Sequence, residues 1–430
     1  MIRPDGGDAV VTDRAPVVAD VTMTVVRLPF RDPIEPHMHR QLPHWRYFEV
    51  CEVELADGTV GFGETMLYYT WEHVTNADVD RAVGSNPADL FRDDSLGAGL
   101  QIALLDAVGK VLEVPAHRLL GEKVRDEVPM AWWAIDMPPA DLAAEAERAE
   151  RQGYTRLKYK GRPWFDIRAQ LEAIEERLPN WFRVSIDFNK TFPDAEAAIP
   201  ILQDLQSYPN VEAFEEPVYQ SQYKDNRRIR EAIDTTLAHH YGYEPPWEAL
   251  AEGVADGYVL NGGASKVYDE AAVCAEAGLP QWPQLVGTEL TAAFCVELGA
   301  VLRADAWPAV TCHQLYDASP LATPLTVEEG TADVSDAPGL GVELDRDAVN
   351  RYAVKAPDEQ PTPPRLVEVD WPDGRTQYFA SGHQLRSYTQ EWSVPLYERG
   401  VEARLVPDDR SERWQSLYER ALEAGPVEEA

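Results

Sequence analysis

Two lysines, two acidic residues and a histidine are spaced so that they can share one rim of a folded chain. Lys158 and Lys160 lie in LKYKG (157–161), with Leu157 and Tyr159 at the alternate positions. On a strand, residues two apart face the same side, roughly 6–7 Å from one another, so the two ammonium groups share a face. Asp187 in SIDFNK (185–190), Glu215 in AFEEP (213–217) and His240 in LAHHYG (237–242) each end a short apolar stretch. They stand 28 and 25 positions apart (187 to 215, 215 to 240), and a βα unit takes about 30 residues. Successive strand ends of a closed parallel barrel would bring the three to one rim. Three metal-type ligands and two amines on that rim make a site.

The elements that must hold these residues follow from the pattern on either side. Strand and helix alternate from VPMAWWAI at 128 to PAVTCHQL ending at 315, the mark of a parallel α/β barrel. Ahead of it, VADVTMTVVRLPF and WRYFEVCEVELADGTVGFGE read as strands, the second as a hairpin turning at Asp57–Gly58. A helix is expected over 90–120, where apolar residues recur at three-to-four spacing. The His-, Pro- and Arg-rich stretch 31–44 reads as a loop covering substrate. The expected division is a loose tail (1–16), an α+β capping domain (17–125), a (β/α) barrel with its closing segment (126–354) and a C-terminal extension (355–430). The extension opens with a Pro-rich linker at 356–365 and ends in a helix around SERWQSLYERALEAG.

Composition narrows the partners. The 430 residues carry 39 Lys+Arg against 74 Asp+Glu, a formal charge of −35 spread over the whole chain. Nucleic acid and anionic membranes would be repelled, so neither is expected as a partner. Such an imbalance suits a surface adapted to high salt, where the Debye length falls to about 3 Å at 1 M. The four cysteines (51, 274, 295, 312) show no CxxC spacing and read as reduced, buried thiols. With no run of 18 apolar residues and no basic-then-apolar start, a cytoplasmic protein is expected.

The chain resembles the enolase superfamily, in its mandelate racemase/muconate lactonizing branch, over about 17–354. The resemblance rests on an ordered set: DGTVGFGE, ALLDAVGK with PAHRLLG, the KxK of Lys158 and Lys160, the DxN of Asp187 and Asn189. EEP at 215–217, Gly262–Gly263 and PGLGVELD complete it. It implies a modified TIM barrel of (β/α)7β type holding Mg²⁺ at its strand ends. A substrate carboxylate would bind the metal while a base removes the neighbouring proton, giving an enediolate. By the same resemblance Asp187 and Glu215 are metal ligands, Lys160 the base and Lys158 its helper. Asn189 would contact substrate or support the ligands, and Glu216 is the alternative to Glu215, on the opposite face of an ideal strand.

Three positions depart from the family. The third ligand is normally acidic, and here the place reads His239–His240, with His240 favoured. The histidine has three open roles: ligand, acid/base beside a metal held by two carboxylates, or packed side chain. As a ligand it would favour Mn²⁺ or another borderline metal, because Mg²⁺ prefers oxygen. Where relatives carry a second base, this chain has Asn261 and Gln284, and Lys266 falls on a helix. His313, in TCHQLYD, stands close to where relatives hold an acid. The expectation is a metal-dependent lyase dehydrating a hydroxy carboxylate, an acid sugar being the class expected, with His313 assisting the hydroxyl's departure. An epimerase or cycloisomerase of the same superfamily, or a silent scaffold, is the alternative. A homo-oligomer is expected.

Overall fold

The computed structural model describes residues 16–69, 73–303, 306–391 and 394–428; the expected loose tail lies outside them except for residue 16. The chain starts with an antiparallel sheet of β1 (Val18–Arg27), β2 (Tyr47–Leu55) and β3 (Val60–Met66), in that order. Asp57–Gly58 turns the hairpin: Gly58 has φ +88°, and the Thr59 amide donates to Asp57 Oδ1 at 2.9 Å. Between β1 and β2 lies α1 (Glu35–Gln41), and after the sheet come α2 (Asn76–Ala82), α3 (Ala98–Val111) and α4 (His117–Leu120).

The single helix expected over 90–120 is thus two helices. The chain leaves the helical path after Val111, with Glu113 at φ 54° and Pro115 following. Helix α3 is almost wholly buried and presses on β3, where glycines make room for it. A Cβ at Gly61 would stand 2.1 Å from the Ala103 carbonyl oxygen, and one at Gly63 would stand 2.0 Å from that of Gly99. Asp106 on the same helix takes amide hydrogens from Phe62 and Leu340 at 2.9 and 2.8 Å, tying the cap to the PGLG segment. Residues 31–44 also differ from expectation. They contain α1, and the stretch is fixed by the Arg31–Glu145 and Arg40–Asp136 ion pairs, both largely buried.

The barrel strands are β4 (Glu127–Ala134), β5 (Arg156–Lys160), β6 (Arg183–Asp187), β7 (Val211–Glu215), β8 (Thr236–His240), β9 (Gly257–Leu260), β10 (Gln281–Pro283) and β11 (Ala309–Val310). Helices α5 (Pro139–Arg151), α6 (Ile167–Arg177), α7 (Ala195–Leu205), α8 (Tyr223–Ala232), α9 (Pro246–Glu252), α10 (Ala264–Glu276) and α11 (Glu289–Gly299) connect them. Parallel ladders run from β4 through β10, and β11 pairs with β4. Bridges Gln281–Ala306 and Gln284–Val310 join β10 to the β11 side. A single 3-10 turn (His313–Leu315) follows β11 in place of an α-helix, and β12 (Thr331–Asp333) then lies antiparallel to β4. Then α12 (Arg346–Tyr352) returns to the cap, where the Val354 amide reaches the Val25 carbonyl at 2.8 Å.

The extension folds as a second antiparallel sheet of β13 (Leu366–Asp370), β14 (Thr376–Phe379), β15 (Glu402–Val406) and β16 (Val427–Glu428), in the order β15-β13-β14-β16. Two helices, α13 (Gly382–Gln390) and α14 (Glu412–Ala424), accompany it. Its core of Val367, Val369, Trp371, Phe379 and Leu385 takes in Trp164 and Phe165 from the loop after β5. All four cysteines are buried and unpaired, and no helix among the described residues is long and apolar enough to cross a membrane.

Candidate active site at the barrel mouth

The strand register decides which side chains face the barrel axis. Lys160 lies opposite Asp187, Asp187 opposite Glu215, and Glu215 opposite Ala238. In-register parallel neighbours share a face, and residues two apart on one strand do too. Lys158, Lys160, Asp187, Glu215 and His240 therefore point inward together. Leu157, Tyr159, Ile186, Phe214 and Leu237 take the other face, fully buried. One layer below, Lys158 lies opposite Ser185 and Ser185 opposite Ala213, and these small side chains leave a cavity of about 250 Å³ beneath the lysine.

The charges are tightly interleaved. Lys160 Nζ donates to Asp187 Oδ2 at 2.5 Å, and Lys158 Nζ lies 2.5 Å from Glu215 Oε2 and 3.9 Å from Asp187 Oδ2. Lys158 also donates to Gln284 Oε1. Burial pulls both ammonium groups down. For Lys158 the carboxylates of Glu215 and Asp187 overcome that and leave it above its ordinary value. For Lys160 burial wins: Asp187 opposes it, but Lys158 and Arg162 add to it, and the group ends below its ordinary value. Asp187 is fully buried, which alone would raise it; Lys160, Lys158 and Arg162 drive it well below the carboxylate range.

His240 Nε2 lies 3.3 Å from Glu215 Oε1, and its Nδ1 meets Asn261 Nδ2 at 3.3 Å. Turning the Asn261 amide exchanges donor for acceptor, so this partner can serve either imidazole tautomer. The Tyr243 ring stacks on His240 at 4.8 Å, and Lys190 Nζ sits over Tyr243 at 4.6 Å. Lys190 in turn reaches Glu216 at 3.3 Å. Glu216 arrives at this rim because its backbone is left-handed, φ 46°, which breaks the alternation an ideal strand would impose.

The donor chemistry fits a divalent cation. Two buried carboxylates and an imidazole face one another, and neither Glu215 oxygen has a hydrogen-bond partner although Lys158 lies in ion contact. Among the described residues no three such groups are drawn into a closed coordination shell. The lysine ammonium groups supply the balancing positive charge instead.

Two expected site residues lie elsewhere. His239 is on the outer face of β8, where its Nε2 meets Asn226 Oδ1 of α8 at 2.8 Å. Burial lowers it to about 3, so it is a neutral packing group. His313 is one residue past Cys312, whose φ of 61° turns the chain at the end of β11. Its Nδ1 is bonded to Thr311 Oγ1 at 2.7 Å and its Nε2 to Tyr154 OH at 3.2 Å. Burial holds it near 4, so it is a neutral imidazole at ordinary pH with both nitrogens engaged. Cys312, not His313, lies in the electrostatic reach of the two lysines. Asn189 does stand at the rim, its amide donating to Asp187 Oδ1 at 2.9 Å and its side chain accepting from Arg162.

Residues 141–348 match the family model described as Enolase C-terminal domain-like. The chain belongs to the enolase superfamily. A probable glucarate dehydratase of Streptomyces coelicolor is 26% identical, covering 76% of this chain and 90% of its own. An N-succinyl-L-Arg/Lys racemase of Bacillus cereus is 21% identical, covering 78% and 98%. The crystal structure of muconate cycloisomerase from Pseudomonas fluorescens superposes with a TM-score of 0.66 at 22% identity, over 79% of this chain and 99% of that one. The protein is thus an enolase-superfamily enzyme whose relatives run several reactions.

Sequence reasoning passed over part of this enzyme's mouth. Trp133 lies 6.0 Å from Lys160 Nζ, and the cap contributes Trp45 and Tyr69, with Trp45 stacked on Trp133 at 5.4 Å. Trp133 was within reach of a register argument, being the penultimate residue of β4 and paired with Lys158; Trp45 and Tyr69 were not. Arg162 stands two residues past Lys160, and its Nη1 donates to the Gly161 and Asp187 carbonyls at 3.0 Å. Lys266 is on α10, occupied by the Asn261 carbonyl at 2.6 Å and Glu270 at 2.8 Å.

Proposed function

We propose that this enzyme is a divalent-metal-dependent lyase that dehydrates a hydroxy carboxylic acid, an acid sugar being the favoured class. The observation that carries the reading is the one-sided charge of the mouth. Lys160, pulled below its ordinary value, stands on the Asp187 side, whereas the opposite strands offer the amides Gln284 and Asn261. An amide cannot accept the proton that a two-base racemisation requires.

Asp187, Glu215 and His240 would hold the metal, Mg²⁺ or a borderline ion such as Mn²⁺. When bound, it polarises the substrate carboxylate and so acidifies the neighbouring C–H bond. Once it has given up its own proton, Lys160 takes the α-proton, and the C–H electron pair moves into the carboxylate as an enediolate. Lys158 stays protonated beside the growing negative charge. With His313 turned away, the proton for the departing β-hydroxide comes from Lys160 itself. The ammonium formed in the first half returns its proton on the same face and water leaves. Proton and charge balance without a second acid.

The test is solvent exchange. A panel of acid sugars and hydroxy acids, with Mg²⁺ or Mn²⁺ at high salt in deuterated water, should give exchange or loss at the α-carbon in the wild type. Lys160→Met should abolish it, and retained exchange would remove Lys160 as the base. The competing reading is a silent scaffold, favoured by ammonium groups that already neutralise Asp187 and Glu215. Metal analysis of the purified protein separates the two, since a scaffold would hold no stoichiometric divalent ion. Loss of activity toward water release, with exchange intact, would point to an epimerase or cycloisomerase instead.

A further inference from the structure

The family match ends at residue 348, before the C-terminal sheet begins at Leu366. Yet that sheet's lobe is built into the barrel mouth. Tyr397 stacks on Phe192 at 4.9 Å, bonds Thr191 and donates to the Gly161 carbonyl at 3.3 Å. From α13, Arg386 Nη2 donates to the Asn189 carbonyl at 3.1 Å. Asn189 and Lys190 are consecutive non-glycine residues in the left-handed region, φ 47° and 66°. Such a turn persists only where its surroundings hold it, and here the lobe supplies much of the hold.

Arg386 has more to offer than one bond. A guanidinium carries five donors, and one backbone carbonyl occupies a single Nη2 hydrogen. Among the described residues it has no carboxylate in ion-pair contact, in a chain with 74 acidic side chains against 39 basic ones. Beside it stands a second guanidinium, Arg162, whose bonds go to two backbone carbonyls and an amide oxygen. Burial and the Arg162 charge both push Arg386 below its ordinary value, while Asp187 and Glu216 oppose them. Both guanidinium groups bond Asn189, beside the Asp187 carboxylate, and a planar guanidinium with spare donors is the group suited to binding a carboxylate bidentately.

We propose that the C-terminal lobe is a working part of the active site, with Arg386 and Arg162 forming a rim subsite that selects substrates bearing a second carboxylate. The proposal rests on the reading that Asp187, Glu215 and His240 would hold a divalent ion to which the first carboxylate binds. Arg386 is then a specificity-determining residue delivered by a lobe outside the matched barrel region.

The test uses the full chain, loaded with Mn²⁺ at high salt, and two six-carbon probes that differ in the second carboxylate: glucarate and gluconate. Calorimetry should show the wild type binding glucarate at least tenfold more tightly. Arg386→Gln should erase that preference by costing glucarate affinity far more than gluconate affinity, and Arg386→Lys should keep part of it, charge without the planar fork. A wild type without the preference, weak binding of both probes included, would overturn the proposal. So would a preference that survives Arg386→Gln, or an equal loss for both probes, which is what a mere buttress gives. Thermal unfolding of each variant shows whether the fold is intact, and Arg386→Lys still decides the matter if the glutamine variant is unstable. The readout is binding, so failed proton abstraction at Lys160 leaves it unaffected, and a failed subsite leaves the Lys160→Met exchange result unaffected.

Discussion

The two halves of the barrel mouth are made of different chemistry. Strands β5 to β8 present Lys158, Lys160, Asp187, Glu215 and His240, all inward and in mutual contact. Strands β9 to β11 present Asn261 after their first end, Gln284 after the second and Cys312 after the third. One half carries carboxylates, amines and an imidazole, groups that can exchange protons or ligate a cation; the other carries amides and a thiol held neutral. Burial pushes the Cys312 thiol up to about 12, so it stays protonated and neutral at ordinary pH. A substrate lying between the halves meets a base on one face only. That difference, more than any single residue, is why elimination on one face is the reading and symmetric racemisation is not.

The sharpest way to break the comparison is to remove the base from the charged half. Lys160→Met should lower α-proton exchange by a factor of about 10²–10⁴, the usual worth of a positioned acid–base group, as NMR in deuterated water would measure. An equivalent loss from Gln284→Met, with Lys160 intact, would show that the neutral half is as chemical as the charged one.

Stability separates the halves next. Glu215→Gln leaves Lys158 charged, buried and facing Asp187 at 3.9 Å without its nearest counter-ion. Breaking one member of a buried ion pair costs about 3–5 kcal/mol, whereas Gln284→Met should cost about 1–3 kcal/mol for the hydrogen bond it withdraws. Urea unfolding of metal-free protein, comparing midpoints at constant slope, checks both values. Equal losses would mean that Lys158 is no more dependent on Glu215 than on Gln284.

A third comparison sets the mouth against the wall behind it. His313 has an ordinary value of 6.5 when unfolded and about 4 when buried in the fold. Its contribution is therefore complete above pH 6.5 and is lost as pH falls through that window, when the unfolded chain takes up a proton the folded one refuses. The difference of about 2.5 units corresponds to about 3 kcal/mol. His313→Gln should flatten the acid side of the stability curve by that amount and leave α-proton exchange near the wild-type rate. A tenfold loss of exchange would restore His313 to the chemistry.

How much of this was legible in the chain depends on where each residue sits in its strand. Asp187, Glu215 and the two lysines could be placed because β5 to β7 are in register and each ends on the residue in question; period and spacing then fix the face. Sequence failed one step beyond a strand. Glu216 and Cys312 turn into the left-handed region, and from there alternation no longer tells which way a side chain points. His313 was misplaced for that reason, lying past a strand of only two residues. The helix at Glu35–Gln41 was missed because its stability comes from buried ion pairs to 136 and 145, far along the chain. Arg386 left no local signal, since its meaning comes from the loop after β6, almost 200 positions earlier.

The smallest expected effect bears on the one residue that belongs to both halves. His240 points into the charged side through Glu215 and is held from the neutral side by Asn261. If it ligates the metal, the site has two oxygen donors from protein carboxylates and one nitrogen, a set that favours borderline ions over Mg²⁺. Wild-type protein equilibrated with equal Mn²⁺ and Mg²⁺ should retain about tenfold more Mn²⁺, a difference near 1.4 kcal/mol. His240→Glu replaces the nitrogen by oxygen and adds a charge, and should shift retention toward Mg²⁺. His240→Gln should weaken both. Metal content after dialysis reads all three without any substrate. If the preference for Mn²⁺ is the same in all of them, His240 is no ligand: it acts as an acid–base group or a packed ring between Glu215 and Tyr243, and the boundary between the halves moves to the Glu215 carboxylate.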